Sequence, residues 1–190
     1  MDELAIVESV KTGNEQAFQL LVTTYQNMVF NTVLGIVQQF EEAEDVAQEV
    51  FIQVYERIGS FRGDAKLSTW IYRIATTKAL DWQRKKKAKK RFSGIRQLFG
   101  IENKSEELQV PDFVHPGVKL EQKENAAILL KALNAIPENQ RTAFLLIKTE
   151  GLDYGTVADI MQISVKAVEG LMHRAKEGLR KQLSDYYSNK

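Results

Sequence analysis

The sequence predicts an all-α protein made of two small helical domains joined by a flexible linker. Apolar residues recur at helical spacing along almost the whole chain, and no segment shows the alternation of a strand-turn-strand unit. The periodicity fails once, between about residues 93 and 118, where glycine, proline and acidic residues accumulate. A chain of 190 residues is long enough for one ordinary domain or two small ones, so this break favours two.

Composition limits the function classes that the chain can serve. It has 44% hydrophobic and 27% charged residues, values typical of a soluble globular protein. Because it has no cysteine, no paired histidines and no glycine-rich phosphate loop, we predict no catalytic residue, no metal site and no cofactor. An enzyme is therefore not expected. No apolar run approaches the roughly 18 residues that span a bilayer, so we expect a cytoplasmic protein with no membrane insertion of its own.

The N-terminal half predicts three long helices. Apolar residues repeat every three or four positions from Phe18 to Val29 and, more regularly, from Ala43 to Ile58. The second helix should end before Gly59. A third should begin with Ser68 as its N-cap and run into the basic segment at 81–92, "DWQRKKKAKKRF". That segment is typical either of a solvated loop or of the edge of a surface that meets an acidic partner.

The C-terminal half predicts four helices. "NAAILLKALNAIP" is the first, and "PENQRTAFLLIKTEG" is the second, with Pro137 in its first turn and Gly151 at its end. From Leu152 to Leu183, two more helices flank a tight turn near residues 161–164. Five residues are expected on the inner face of the last helix: Val165, Val168, Met172, Ala175 and Leu179.

A helix-turn-helix of this kind projects its second helix outward, where exposed side chains can enter the major groove of DNA. The side chains expected on that outer face can contact phosphates or base edges: Ser164, Lys166, Glu169, His173, Arg174 and Lys176. The same spacing also fits a helical hairpin with a solvated charged face. His173 alone is typical of an ordinary surface residue and not of a metal ligand.

The formal net charge of +1 conceals a strong separation of charge along the chain. Residues 41–56 include six carboxylates and no basic residue, whereas residues 84–96 are basic and contain no acid. At 100° per residue, the polar side of the helix at 41–57 carries carboxylates, amides and one apolar residue, Ile52. Ile52 is either an isolated exposed apolar residue or the anchor of a partner-binding patch, and the pattern leaves both open.

Both halves of the chain resemble one known family, and they do so independently. "IPENQRTAFLLIKTEGLDYGTVADIMQISVKAVEGLMHRAKEGLRKQL" is similar to the promoter-reading domain of bacterial sigma factors of the extracytoplasmic-function (ECF) group. "EEAEDVAQEVFIQVYERIGSFRGDAKLSTWIYRIATTKALDWQRKKK" resembles the part of the same group that binds core polymerase and melts promoters. The resemblance implies a sigma region 2 domain at 1–91, a linker at 92–119 and a four-helix sigma region 4 domain at 120–190.

The resemblance implies a sigma initiation factor that binds core RNA polymerase and promoter DNA and is held inactive by an anti-sigma factor. The residues implied in binding core polymerase are Asp45, Gln48, Glu49 and Ile52. Those implied in recognising and melting the minus-ten element are Phe61, Arg62, Asp64, Lys66, Thr77, Lys78, Asp81, Arg84 and Lys85. Those implied in reading the minus-thirty-five element are Arg141, Ser164, Lys166, Ala167, His173 and Arg174.

These residue types suit the opening of a duplex, which needs cations for the backbone and a receptacle for an extruded base. Gly63 permits a sharp loop that, by the resemblance, captures a flipped base of the minus-ten element. Trp70 stands at core spacing and is expected to pack, whereas Trp82 either lies against the strand or caps the domain.

Four positions depart from the family pattern. Thr77 stands where asparagine is common, so the minus-ten preference is expected to differ. Glu169 and Leu171 replace basic residues of the recognition helix, and we transfer no minus-thirty-five specificity to them. Gln162 occupies a turn position where glycine is usual and a left-handed backbone is often needed, at a cost of about 1 kcal/mol.

The alternative reading is an ordinary helix-turn-helix transcription regulator that binds duplex DNA as a dimer. In that case the N-terminal half would serve dimerisation or sensing, and the paired half-sites of the DNA would match the two subunits. Only a sigma factor would start transcription together with core polymerase.

Overall fold

The computed structural model describes residues 3–98 and 120–188, with side chains described over 3–89 and 128–184. Over these ranges the chain forms α-helices, one short 3-10 turn at Ile58–Ser60 and no strand, which confirms the predicted all-α class. The helices are α1 (Glu3–Lys11), α2 (Glu15–Val37), α3 (Phe40–Arg57), α4 (Leu67–Leu98), α5 (Leu120–Ala135), α6 (Glu138–Lys148), α7 (Tyr154–Met161) and α8 (Val165–Ser188). They divide into two compact units, α1–α4 and α5–α8.

Helix α2 is the centre of the N-terminal unit. Helices α1, α3 and α4 pack against it, and α3 also packs against α4. The side chain of Asn14 caps the N-terminus of α2 by accepting a hydrogen bond from the Ala17 N–H at 3.1 Å. The core draws buried side chains from every helix of the unit, among them Val7, Leu21, Ile36, Val50 and Ile71. Because α3 buries only one side, its carboxylates remain on the outside.

Among the described residues, α2 alone is long and apolar enough to cross a bilayer, and an 18-residue window of it has a mean hydropathy of 1.3. Polar residues such as Gln26 and Asn31 interrupt α2, so it holds no unbroken apolar run of that length. Leu21, Val29 and Val33 of α2 lie in the core beneath α3 and α4. A central position in a helical bundle accounts for this apolar composition without a membrane.

Helix α1 is tied to α2 through its first turn. The Tyr25 hydroxyl donates a hydrogen bond to Glu3 Oε1 at 2.9 Å, and burial together with this carboxylate raises the pKa of Tyr25 to about 12. Leu4, one residue further, has its Cδ2 atom 3.5 Å from the place where a Cβ on Gly63 would stand. Helix α1 therefore lies beside the loop between α3 and α4.

Both ends of α4 differ from the prediction. The helix begins at Leu67, which is buried, and the Trp70 N–H donates to the Lys66 carbonyl at 3.2 Å. Lys66 thus stands at the N-cap position and Ser68 lies inside the first turn. The helix continues to Leu98, beyond the predicted start of the linker at residue 92, because lysine, arginine, glutamine and leucine are good helix formers. Residues 99–119 of the predicted linker lie outside the described residues.

The C-terminal unit is organised around α8, which packs against α5, α6 and α7. The predicted tight turn is confirmed between Met161 and Val165. Gln162 adopts the expected left-handed conformation, with φ of 55° and ψ of 45°, and its N–H caps α7 by donating to the Ala158 carbonyl. Pro137 stands one position earlier than expected, at the N-cap of α6.

A close approach between α5 and α8 depends on Gly178. A Cβ added to Gly178 would stand 2.7 Å from Ile136 Cγ2, which is too short for a real contact. Ile136 and its neighbours Ala132 and Leu133 pack against Ala175 and Leu179 of α8 in one buried cluster. The absence of a side chain at Gly178 therefore lets the end of α5 lie directly on α8.

Replacing Gly178 by alanine should destabilise the C-terminal unit by roughly 1–3 kcal/mol, because the added methyl group overpacks this contact. The control is Gly170→Ala on the same helix, where a Cβ meets only the Arg174 side chain at 3.5 Å. That change should raise stability by up to about 1 kcal/mol through helix propensity. Urea unfolding of the full chain, followed by circular dichroism, measures both, and equal effects of the two variants would contradict the packing argument.

Candidate functional site

The outer face of α3 brings the four residues expected to bind polymerase together. Asp45, Gln48, Glu49 and Ile52 are all exposed, and Asp45 and Ile52 each lie three and four residues from Gln48 and Glu49, so the four share one side of the helix. Ile52 leaves 59% of its surface accessible to solvent, an unusual exposure for an isoleucine. An apolar side chain surrounded by carboxylates and an amide matches the composition of a protein-binding patch with a charged rim.

Tyr55 adds an aromatic side chain to the border of this face. Its spacing predicts an inward position, but it is half-exposed, and its ring meets the edge of Phe18 with 4.9 Å between centroids. The physical reason is the width of the helix face: Val50 and Val54 fill the centre of the contact with α2 and leave Tyr55 at the margin. Helical periodicity places a residue on one side of a helix but does not tell a margin from a centre.

The loop between α3 and α4 presents three of its four expected residues to solvent. Arg62, Asp64 and Lys66 are exposed, and Gly63 between them has a φ of +80°, which favours glycine. Phe61 differs from the expectation of a base contact, since only 7% of its surface is accessible and its ring packs against Trp70 at 5.5 Å. The reason is that the loop starts directly from the core, so its first side chain anchors it there.

The exposed part of α4 carries the remaining residues expected at the minus-ten element. Thr77, Arg84 and Lys85 are exposed, and Lys85 has no ion pair among the described side chains. Arg84 Nη1 pairs with Asp81 Oδ1 on its own helix at 3.0 Å. Lys78 is half-buried and reaches across to α3, where its Nζ lies 3.1 Å from Glu49 Oε2. The expected polymerase-binding and promoter-binding faces therefore adjoin each other.

The segment that follows Asp81 turns partly inward. Gln83 Nε2 donates to the Ile36 carbonyl at 2.8 Å and so satisfies a carbonyl at the C-terminus of α2. Lys86 Nζ donates to Glu42 Oε1 at 2.7 Å, also contacts Gln39, and lies 4.7 Å from the centroid of the Trp82 ring. These contacts fasten α4 to the α2–α3 corner. Lys86 therefore stabilises the packing of α4, although the sequence places it in the basic segment at 81–92.

The first turn of α8 is capped and displays most of the residues expected to read DNA. Ser164 Oγ accepts a hydrogen bond from the Ala167 N–H at 3.2 Å, which leaves its hydroxyl proton free to donate. Lys166, Ala167 and Arg174 are exposed on this helix. His173 is exposed as well, and its Nε2 lies 3.4 Å from Glu177 Oε1. Lys166, Ala167, His173 and Arg174 lie on one continuous helix, with Ser164 at its N-cap.

Two residues of this unit are not where the sequence places them. Arg141 is only 5% exposed, its Nη1 lies 3.4 Å from the Leu133 carbonyl, and burial lowers its pKa. Arg141 was expected to be one of the residues that contact DNA, and the structure places it inside the unit. It lies on the inner side of α6, between the buried Thr142 and the end of α5, where a charged residue is rare. Val165, expected inside, is 45% exposed because it precedes the first buried turn of α8.

Helix α7, the first helix of the pair, is fixed by Asp153. The carboxylate accepts hydrogen bonds from the Thr156 hydroxyl at 2.6 Å and the Thr156 N–H at 2.9 Å. These bonds favour the charged form and hold the pKa of Asp153 below its ordinary value. Among the described side chains, no group of three or more histidine, aspartate or glutamate residues could hold a metal ion.

Comparison with known proteins decides what these surfaces belong to. Residues 21–89 match the family model for sigma-70 region 2, and residues 126–179 match the model for sigma-70 region 4. The chain is 33% identical over 180 residues to the ECF RNA polymerase sigma factor SigW of Bacillus subtilis, covering 94% of this chain and 95% of that protein. The chain belongs to the ECF sigma factors. It is a sigma initiation factor, and the alternative of an ordinary helix-turn-helix regulator is not favoured.

Other relatives align with this sigma factor over nearly their whole length. It is 32% identical over 182 residues to the RNA polymerase sigma-H factor of Pseudomonas aeruginosa, covering 94% of this chain and 92% of that protein. It is 31% identical over 179 residues to the ECF sigma-E factor of Escherichia coli K12, covering 94% and 93%. Sigma factors are transcription factors and not enzymes.

Solved structures share the fold of this sigma factor. CnrH, determined in complex with the cytosolic domain of CnrY, superposes with a TM-score of 0.67 at 20% identity over 95% of this chain and 96% of CnrH. RpoE from Bartonella quintana gives a TM-score of 0.64 at 19% identity over 88% of this chain and 96% of RpoE. At this level of identity the likeness establishes the fold.

Acidification should weaken the cap of α7. Because the pKa of Asp153 is depressed in the folded state, its stabilising contribution is complete above the unfolded value of about 4 and disappears as the pH falls through the folded value. Asp153→Asn keeps a capping oxygen but cannot titrate. The wild type should therefore be more stable than this variant at pH 7, and the difference in unfolding free energy should shrink in acid. A difference independent of pH would contradict the assignment.

Proposed function

We propose that this sigma factor binds core RNA polymerase through the outer face of α3, holds the minus-ten element with the α3–α4 loop and α4, and reads the minus-thirty-five element with α8. The observation that carries the proposal is the exposed face formed by Asp45, Gln48, Glu49 and Ile52, which adjoins the cations of α4. An acidic face with an apolar anchor selects a basic protein surface, whereas the neighbouring cations select a nucleic acid.

At the polymerase face, Ile52 would supply the desolvated centre and Asp45 and Glu49 the charged rim. Interfaces concentrate their binding energy in such buried anchors, while rim charges contribute mainly to specificity and association rate. Tyr55 extends the apolar part of the face by an aromatic ring, a residue type that is enriched in protein interfaces.

At the minus-ten element, the buried Phe61 would anchor the α3–α4 loop to the core. The exposed Arg62, Asp64 and Lys66 of the same loop would contact the extruded base. Thr77, Lys78, Arg84 and Lys85 would follow the strand along α4, with Asp81 orienting Arg84 through its ion pair. A receptacle built on a rigid anchor holds an extruded base more firmly than a free loop, because less conformational freedom is lost on binding.

At the minus-thirty-five element, the exposed start of α8 would enter the major groove. Lys166 and Arg174 are suited to phosphates or guanine, and His173 to either phosphates or base edges. Ala167 offers apolar contact to a thymine methyl group. Arg141 would support this helix indirectly, by holding the end of α5 against α6.

The proposed domain boundaries, location and partners follow those of the ECF sigma factors. We propose a region 2 domain at 1–91, a linker at 92–119 and a region 4 domain at 120–190, in a cytoplasmic protein without enzymatic activity or a cofactor. The Bartonella quintana RpoE structure holds the anti-sigma factor NepR, and the CnrH structure holds the cytosolic domain of CnrY. An anti-sigma partner that covers the polymerase-binding or promoter-binding surfaces is therefore expected here.

Transcription with purified core polymerase tests the proposal. The wild-type chain with core should start transcripts from promoters in a genomic library, and Asp45→Lys should weaken core binding by more than about tenfold, since it reverses a charge in the interface. Glu44→Lys, an equal change of charge about 100° around α3 from Asp45, should retain activity. A chain that footprints duplex DNA alone but never starts transcription with core would overturn the proposal.

Lys166→Gln should weaken binding of the holoenzyme to promoter DNA through lost phosphate contact. The dependence of the logarithm of affinity on the logarithm of salt concentration should become shallower by about 0.9. Lys181→Gln on the same helix is the control, because it lies about 22 Å further along the axis and should leave the slope unchanged. Equal slopes for wild type and Lys166→Gln would exclude a phosphate contact at this residue.

A further inference from the structure

An ion pair joins the proposed polymerase-binding face to the proposed promoter-binding face. Lys78 Nζ on α4 lies 3.1 Å from Glu49 Oε2 on α3. The side chain of Lys78 is 33% exposed and that of Glu49 is 61% exposed, so both remain accessible to partners. Each side chain thus has one partner inside the chain and, by the proposed function, a second partner outside it.

We propose that Glu49 restrains Lys78 in the free sigma factor and releases it when core polymerase binds. A basic surface that approaches Glu49 competes for the same carboxylate and weakens its attraction for Lys78. The released ammonium group can then contact a promoter phosphate. The inference rests on the proposed function of the two faces and assigns their coupling to this single pair.

Two neighbouring cations, Lys86 and Arg84, have partners other than the four residues of the proposed polymerase-binding face. Lys86 is held by Glu42, by Gln39 and by the Trp82 ring together, and it fastens α4 to the α2–α3 corner. Arg84 pairs with Asp81 on its own helix, outside the proposed polymerase-binding face. Lys78, by contrast, pairs with Glu49 on that face and stands next to the exposed Thr77.

The size of the coupling follows from the exposure of the pair. Exposed ion pairs contribute little, so the release of Lys78 should change affinity by about twofold to fivefold. The coupling is reciprocal, because a phosphate that engages Lys78 must free Glu49 for polymerase by the same factor. Polymerase and promoter DNA should therefore bind this sigma factor cooperatively by that modest amount.

The first arm of the test uses the free full-length chain and a single-stranded oligonucleotide carrying a minus-ten sequence. Glu49→Gln should bind it about twofold to fivefold more tightly than Glu44→Gln does. Both variants lose one negative charge, so the comparison removes the effect of net charge. Glu44 is exposed on the same helix and has no ion pair among the described residues. Adding Lys78→Gln to Glu49→Gln should abolish the gain.

The second arm compares the free chain with the holoenzyme. In the free chain, Lys78→Gln should reduce affinity for the oligonucleotide by a smaller factor than it reduces promoter affinity in the holoenzyme, because Glu49 already neutralises Lys78 there. In the holoenzyme the same variant should weaken binding to promoter DNA by about twofold to fivefold. Circular dichroism of each variant checks that the helices remain folded.

Three outcomes would overturn the inference: equal affinities of Glu49→Gln and Glu44→Gln, an equal loss for Lys78→Gln in both states, or no loss in either state. None of these outcomes depends on whether the wild-type chain starts transcription from specific promoters. That transcription experiment tests the proposed function separately. If transcription also failed, the proposed function itself would fall.

Discussion

The packing of α4 on α2 and α3 is the contact on which the proposed functional surfaces depend. Leu67, Ile71 and Ala75 are buried at helical spacing and fix which side of α4 faces the core. Gln83 and Lys86 then fasten the helix beyond this stripe, through the Ile36 carbonyl and the Glu42 carboxylate. This geometry places Lys78 beside Glu49 on the acidic face of α3. Without it, the acidic and basic segments would remain separate features of the sequence.

The near-neutral net charge of the chain conceals two oppositely charged helices, α3 and α4, that pack side by side. The carboxylates of α3 and the cations of α4 are neighbours in space, and two of them, Glu42 and Glu49, pair directly with lysines of α4. One pair is half-buried and structural, and the other is more exposed and can exchange partners. Close packing of opposite charges lets a small chain present an acidic face to protein and a basic face to nucleic acid.

In the C-terminal unit, one helix carries both the core and the proposed reading surface. The buried side of α8 includes Val168, Met172 and Ala175, and its opposite side carries Lys166, His173 and Arg174. Gly178 allows α5 to approach the far end of this helix, and Asp153 and Ser164 cap α7 and α8. A reading helix held along its whole inner side loses little conformational freedom on binding DNA.

The sequence by itself determined the all-α class, the tight turn with left-handed Gln162 and the exposure of Ile52. Each of these depends on local backbone preference or on the period of a single helix, which one segment of chain is enough to define. It also determined the family, because two motifs in the right order are far more specific than one. The tertiary structure alone decided that Phe61 and Arg141 are buried, that Val165 and Tyr55 are exposed, and that Lys78 pairs with Glu49. Those outcomes depend on which neighbour covers a residue, and residues far apart in the chain become neighbours only after the helices pack.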